Sequence, residues 1–171
     1  VYNGEIYNFQ RLRDQAGLEC QTNTDTEVLL QLYQQQGPDF VHALEGMFAF
    51  ALYDTQQDVL LLARDTAGMK PLYYATIDGA LHFASEVKSL LQAYTTKPPI
   101  DEQALSLYVR FHYLPRPHTL IDGIQALEPG TMMTIRAGQE PTIMPIRNPH
   151  ADQTQLSTTD FLQECPRRLQ E

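Results

Sequence analysis

Cysteine is nearly absent from this sequence. Cys20 and Cys165 stand far apart, in no Cys-x-x-Cys or Cys/His spacing, which excludes a zinc or iron–sulfur framework. Two such lone thiols read as small core residues of a protein kept in a reducing compartment. Positive charge is also scarce: 12 Lys and Arg face 21 Asp and Glu, for a net charge of −9. Basic residues fall singly, apart from the short Arg167-Arg168 pair, so no stripe exists to neutralise phosphates. Nucleic acid and anionic membranes are therefore excluded as expected partners. Apolar runs long enough to cross a bilayer are missing, as is a basic segment followed by an apolar one at the start, so the cytoplasm is the expected location. There is no Gly-rich phosphate loop, and His42, His82, His112, His118 and His150 are not spaced as ligands. No metal or cofactor site is expected within the chain, and no Ser/His/Asp constellation stands out.

What is present suits one packed domain, or one domain with a piece of a second: 171 residues, 43% of them hydrophobic. Val1-Tyr2 running into Asn3-Gly4 reads as the end of a strand entering a turn. The first residue is Val1, not Met, and the natural start is expected upstream. Asn8 is placed to cap a helix that passes Leu12 and ends near Gly17. Thr24-Asp25-Thr26-Glu27 has the spacing of a capping box, and Val28, Leu29, Leu32 and Tyr33 then form one apolar helix face before Gly37-Pro38.

Residues 47–53 and 59–63 are almost wholly apolar and are separated by a polar turn, which predicts two antiparallel strands buried on both faces. Residues 72–77 and 80–84 flank Asp78-Gly79, the signature of a hairpin. Ser85 is read as the cap of a short helix through Leu91, and Asp101 as the cap of another through Tyr108. Beyond Phe111, Pro115, Pro117, Pro129 and Pro141 leave room only for short strands, such as 131–135. Residues 136–158 read as a linker, and Phe161, Leu162, Cys165 and Leu169 then recur at helical spacing, interrupted by Pro166. Helices, a block of strands and further helices predict an α+β sandwich of antiparallel sheets covered by helices.

Asn3-Gly4-Glu5 carries the chemistry. An Asn amide and a Gly backbone N–H side by side are suited to donate to an oxygen that gains charge during acyl transfer. Asn-Gly is equally an ordinary turn dipeptide, and both readings stand on these residues alone.

Several motifs occur together, in one order. They are Asn3-Gly4-Glu5-Ile6-Tyr7-Asn8; Thr24-Asp25-Thr26-Glu27-Val28; Leu44-Glu45-Gly46-Met47-Phe48-Ala49-Phe50-Ala51; Arg64-Asp65 with Gly68 and Lys70-Pro71-Leu72-Tyr73-Tyr74; and Phe83-Ala84-Ser85-Glu86 with Lys88. Tyr113-Leu114-Pro115 with Pro117, Thr119, Gly123-Ile124 and a run from Leu127 to Gly130 follow. The set resembles the class II glutaminase domain of glutamine-hydrolysing asparagine synthetase, over residues 1–130.

That resemblance implies an N-terminal-nucleophile hydrolase-type αββα sandwich, two antiparallel sheets between helical layers, here incomplete. It implies a glutaminase domain over residues 1–135, the linker, and the start of an ATP-pyrophosphatase synthetase domain at 159–171. Near the far end Met144-Pro145 replaces the aromatic pair usual in the family, and Pro166 falls inside the expected helix. The implied chemistry is attack of an N-terminal cysteine thiolate on the glutamine side-chain amide, with that cysteine's α-amine carrying the proton. Asn3 and Gly4 would form the oxyanion hole. Glu5 and Asp25 would line the glutamine pocket, Asp25 pairing with the α-ammonium. Asp25 also suits plain compensation of a helix dipole. Arg64, Asp65 and Lys70 read as structural, an ion pair fixing a strand end.

The implied nucleophile, and the arginine that would hold the glutamine α-carboxylate, are expected upstream of Val1. Cys20 and Cys165 have no α-amine beside the thiol. The chain alone is expected to be inactive, and marginal or aggregation-prone. The parent would take ATP and magnesium in its synthetase domain and pass ammonia to aspartate, and a homodimer is an open option. Two other readings stay open: a related amidotransferase with a different acceptor, and a non-hydrolysing scaffold.

Overall fold

A computed structural model describes residues 1–147. In chain order the strands and helices are β1 (Tyr2–Ile6), α1 (Phe9–Ala16), α2 (Asp25–Gln36), β2 (Gly46–Asp54), β3 (Val59–Arg64), β4 (Tyr73–Ile77) and β5 (Ala80–Ala84). There follow α3 (Val87–Leu90), α4 (Glu102–Phe111), β6 (Gln125–Ala126), β7 (Thr131–Arg136) and β8 (Thr142–Pro145). Short 3₁₀ segments extend α2 (Gly37–Ala43) and α3 (Leu91–Ala93). The helix expected around Phe161 lies outside the described residues.

Side-chain alternation in β2 and β3 builds two interiors at once. Phe48, Phe50, Leu52, Val59, Leu61 and Ala63 face α1 and α2, where they meet Leu12, Val28, Leu29, Leu32 and Phe40. The intervening Ala49, Ala51 and Leu62 face the opposite way, onto Leu72, Leu127, Tyr74, Leu81 and Phe83. Both strands are buried on both sides, as their unbroken apolar runs predict. Two antiparallel sheets result, ordered β1-β2-β3-β7-β8 and β5-β4-β6. On the outer face of the smaller sheet, Ala75 and Ile77 pack under Leu90 and Ile124, with Val87 and Leu91 alongside. The layers therefore run helix, sheet, sheet, helix: the α+β sandwich expected from the order of the elements.

Some local signals determine the structure directly. Asp78 and Gly79 both take positive φ (50° and 78°), as a two-residue turn matched to strand twist requires, and join β4 to β5. Gly17 ends α1 in the left-handed conformation, and Asp101 caps α4 by accepting from the Ala104 N–H at 2.9 Å. α4 runs three residues past the expected Tyr108, to Phe111.

Four expectations need correction. Asn3-Gly4 is not a turn: β1 continues through both to Ile6, because every residue of it pairs with β2. Asn8 does not cap α1 with its side chain; its amide instead brackets the chain entering β2, donating to Ala43 O at 2.9 Å and accepting from Glu45 N at 3.0 Å. The capping box closes only halfway, since Glu27 turns away from the Thr24 backbone to accept from the N–H groups of Gln21 and Thr22. α3 begins after Glu86, not Ser85. In addition, β8 falls inside the 136–158 stretch read as linker, where Met132↔Met144 pairing extends the larger sheet.

Candidate active site

β1 is the edge strand of the larger sheet, and its pairing parity decides what it offers. Val1 and Ala51 exchange hydrogen bonds, each 2.8 Å, and Tyr7 N donates to Glu45 O at 2.7 Å. In an antiparallel pair such bonds recur at alternate residues. Asn3 and Glu5 therefore turn their backbone groups to β2, while Tyr2, Gly4 and Ile6 turn theirs to the open edge.

Asp25 closes part of that edge. It is the first residue of α2, and its Oδ2 accepts from the Ile6 N–H at 3.1 Å and from the Tyr2 hydroxyl at 2.5 Å. The Gly4 N–H lies one strand repeat away, about 6.7 Å along the same edge by the rise of a strand. Gly4 is also required sterically. Its φ is +153°, and a Cβ there would lie 2.2 Å from Met47 O and 2.7 Å from Phe48 Cα.

Side chains alternate the other way. Tyr2 and Ile6 point into the interior under α2. Asn3 points to the other face, into a small cavity of about 230 Å³ bounded by Val1, Ala49, Ala51, Leu72, Phe83 and Ser85. Asn3 and Asp25 thus flank a single strand edge, one from each face. Glu5 is exposed on the Asn3 face. Burial first, then the hydrogen bond to Asp25 and the negative charges of Asp25 and Glu5, push the Tyr2 phenol far above its usual range. Asp25 binds the phenol directly, whereas Glu5 adds only a longer-range charge. Among the described residues neither enters an ion pair, and the side chains of Asn3 and Glu5 have no hydrogen-bond partner.

Chemically, the edge offers an outward N–H, an unengaged amide and two carboxylates with no cation between them. Such a set is suited to a polar ligand carrying an ammonium at one end and an oxygen that gains charge at the other. No sequence motif marks Tyr2 as part of it. The one available signal was its strand parity with Ile6, which places it on the core face beside α2.

Arg64 and Asp65 stand apart from this edge, and both are buried. The guanidinium donates to the carbonyls of Lys70, Leu127 and Gly68 at 2.7, 2.7 and 2.9 Å. Asp65 accepts from the N–H groups of Phe48, Met69 and Lys70 at 3.2, 2.9 and 3.0 Å. Their structural role holds, but through loop backbone and not through the expected ion pair. Burial, then the nearby Arg116 charge, lower the Arg64 pKa. Cys20 is half-buried and packs against the helix-side core. Among the described residues no cluster of three or more His, Cys, Asp or Glu is arranged for a metal ion, and no helix is long and apolar enough to cross a membrane.

The four-layer sandwich is the fold of an amidotransferase-type domain, and the family described as "Glutamine amidotransferase domain" matches residues 1–144. The chain belongs to that family. Its similarity to asparagine synthetase [glutamine-hydrolyzing] 1 of Bacillus subtilis is 43% identity over 139 residues, 80% of this chain and 22% of that protein. With asparagine synthetase B of Escherichia coli it shares 50% over 97 residues, 55% of this chain and 18% of that protein. The chain thus spans about a fifth of the length of these relatives. Among solved structures, the glutamine phosphoribosylpyrophosphate amidotransferase of B. subtilis has the same fold, with a TM-score of 0.55 at 22% identity over 85% of this chain and 28% of that one. A structure titled as the allosteric regulatory enzyme of purine biosynthesis scores 0.57 at 21% identity over 85% of this chain and 27% of that one.

Proposed function

We propose that the complete polypeptide is a cytoplasmic, glutamine-dependent asparagine synthetase, and that this chain supplies the oxyanion hole and the α-ammonium pocket of its glutaminase site. Glutamine would lie along the open edge of β1. Its α-ammonium would sit between Asp25 and Glu5, and its side-chain amide would reach Asn3 and Gly4. A thiolate from a cysteine outside residues 1–171 attacks the amide carbon, and the oxygen that takes the electron pair is held by the Asn3 amide and the Gly4 N–H. The C–N bond then breaks, ammonia leaves with a proton from the cysteine's α-ammonium, and water hydrolyses the thioester to glutamate.

The observation that carries this reading is the outward Gly4 N–H on the same edge as the Asp25 carboxylate, within a chain matched along most of its length to the glutamine amidotransferase family. ATP and magnesium belong, in this proposal, to the synthetase part, which would join the ammonia to aspartate; the residues described here provide no arrangement for them. The test is glutamate release from glutamine by the full-length gene product. Asn3→Ala is expected to lower kcat about 100- to 1,000-fold, as for loss of one oxyanion donor. An unchanged kcat in that variant would refute the assignment, and a full-length protein that releases no glutamate would refute the whole reading.

A further inference from the structure

Tyr2 faces the interior of the sandwich, where an aromatic ring needs no hydroxyl to be buried. Its hydroxyl nevertheless donates to Asp25 Oδ2 at 2.5 Å, within the range of a charge-assisted O–H bond to a carboxylate. The Ile6 N–H binds the same oxygen at 3.1 Å. Oδ1 is left with one described partner, the hydroxyl of neighbouring Thr26 at a long 3.3 Å. The two carboxylate oxygens of Asp25 are therefore unequal: one is fixed to the strand, the other remains open.

We propose that Tyr2 is a positioning residue that sets specificity for the α-ammonium of glutamine, by locking Asp25 Oδ2 to β1 and turning Oδ1 toward the ligand. This rests on the glutaminase reading above. A phenol suits the task better than a cation. Lys or Arg would hold Asp25 equally well, but would neutralise it and compete with the incoming ammonium. Tyr2 fixes the carboxylate and stays neutral, so the charges of Asp25 and Glu5 remain for the substrate. The surroundings support that neutrality, because burial and both carboxylates push the phenol up and away from ionisation. Anchoring by a ring packed in the core also removes the side-chain freedom that an aspartate at the start of a helix would otherwise lose on binding.

Tyr2→Phe in the full-length protein removes one oxygen atom and keeps the ring. Two substrates are compared: glutamine, and 4-carbamoylbutanoate, the same amide without the α-amine. The expected result is a KM for glutamine raised about tenfold or more, consistent with loss of a hydrogen bond to a charged group, with kcat within about threefold. Turnover of 4-carbamoylbutanoate should be unaffected, so the preference for glutamine falls. Because Tyr2 acts through Asp25, the Tyr2→Phe/Asp25→Asn double variant should be no worse than Asp25→Asn alone. Equal losses on both substrates, an unchanged KM for glutamine, or additive losses in the double variant would overturn the inference while leaving wild-type glutaminase activity intact. A wild type that releases no glutamate from glutamine would instead sink the underlying reading, and this inference with it.

Discussion

Arg64 is 3% exposed and Asp65 fully buried, yet neither depends on the other for a hydrogen bond. Each is satisfied by three backbone groups, and together they hold the loop from Gly68 to Lys70 against the end of β3. Arg64→Leu would leave three buried carbonyls without a donor. It is expected to destabilise the protein by roughly 1–3 kcal/mol per orphaned carbonyl, measured by chemical denaturation, with no change in the chemistry at β1. Sequence alone suggests an ion pair here because adjacent opposite charges invite one. The preference for backbone arises from the loop's shape, which no pairwise rule contains. At the candidate site the motif is legible in the sequence, which singles out Asn3, Gly4, Glu5 and Asp25 as candidates. Tyr2 is not singled out, since its value depends on α2 crossing β1 at the height of its hydroxyl.

At the scale of elements, α2 shows how a cap works when only half of it closes. The Glu27 carboxyl is held below the usual glutamate range by the Thr22 hydroxyl first, then by the N–H groups of Gln21 and Thr22. A carboxyl whose folded pKa is depressed contributes stability that is fully present above its unfolded value, about 4.3. That contribution fades as the pH falls through the lower, folded value. Melting temperature followed by circular dichroism from pH 7 to pH 3 should therefore fall more steeply for the wild type than for Glu27→Gln, and the two should converge in acid. Asp101 is the more complete cap, and Asp101→Ala should cost about 1 kcal/mol by denaturation. Long periodic elements such as α2, β2 and β3 were legible because their apolar patterns are strong. The course of β1 through Asn3-Gly4 was not, because the turn signal of that dipeptide is local, whereas its five-residue pairing with β2 is tertiary. Nor was β8, a strand with all four residues exposed that exists only because β7 offers an edge.

For the whole molecule, the larger sheet ends in β1 on one side and β8 on the other. Among the described residues no further strand pairs with either edge, and β8 also exposes Ile143 and Met144. Uncovered strand edges of this kind pair with other chains. The 171-residue chain is expected to associate with rising concentration in sedimentation velocity, and Ile143→Lys to reduce that association. The layered architecture was legible because the order of elements and the doubly buried strands allow few arrangements. The position of the site within it required the parity of β1, which turns the Gly4 N–H to the open edge and sets the Asn3 side chain on one face beside it.

The pairing of these two neighbouring donors at one edge is the central claim, and a crystal structure of the full-length protein with bound glutamate, the proposed product, tests it most directly. One oxygen of the side-chain carboxylate should lie within hydrogen-bond distance of both the Gly4 N–H and the Asn3 amide, with the α-ammonium on Asp25 Oδ1. Glutamate bound away from β1, or an α-ammonium paired with a carboxylate other than Asp25 and Glu5, would contradict it.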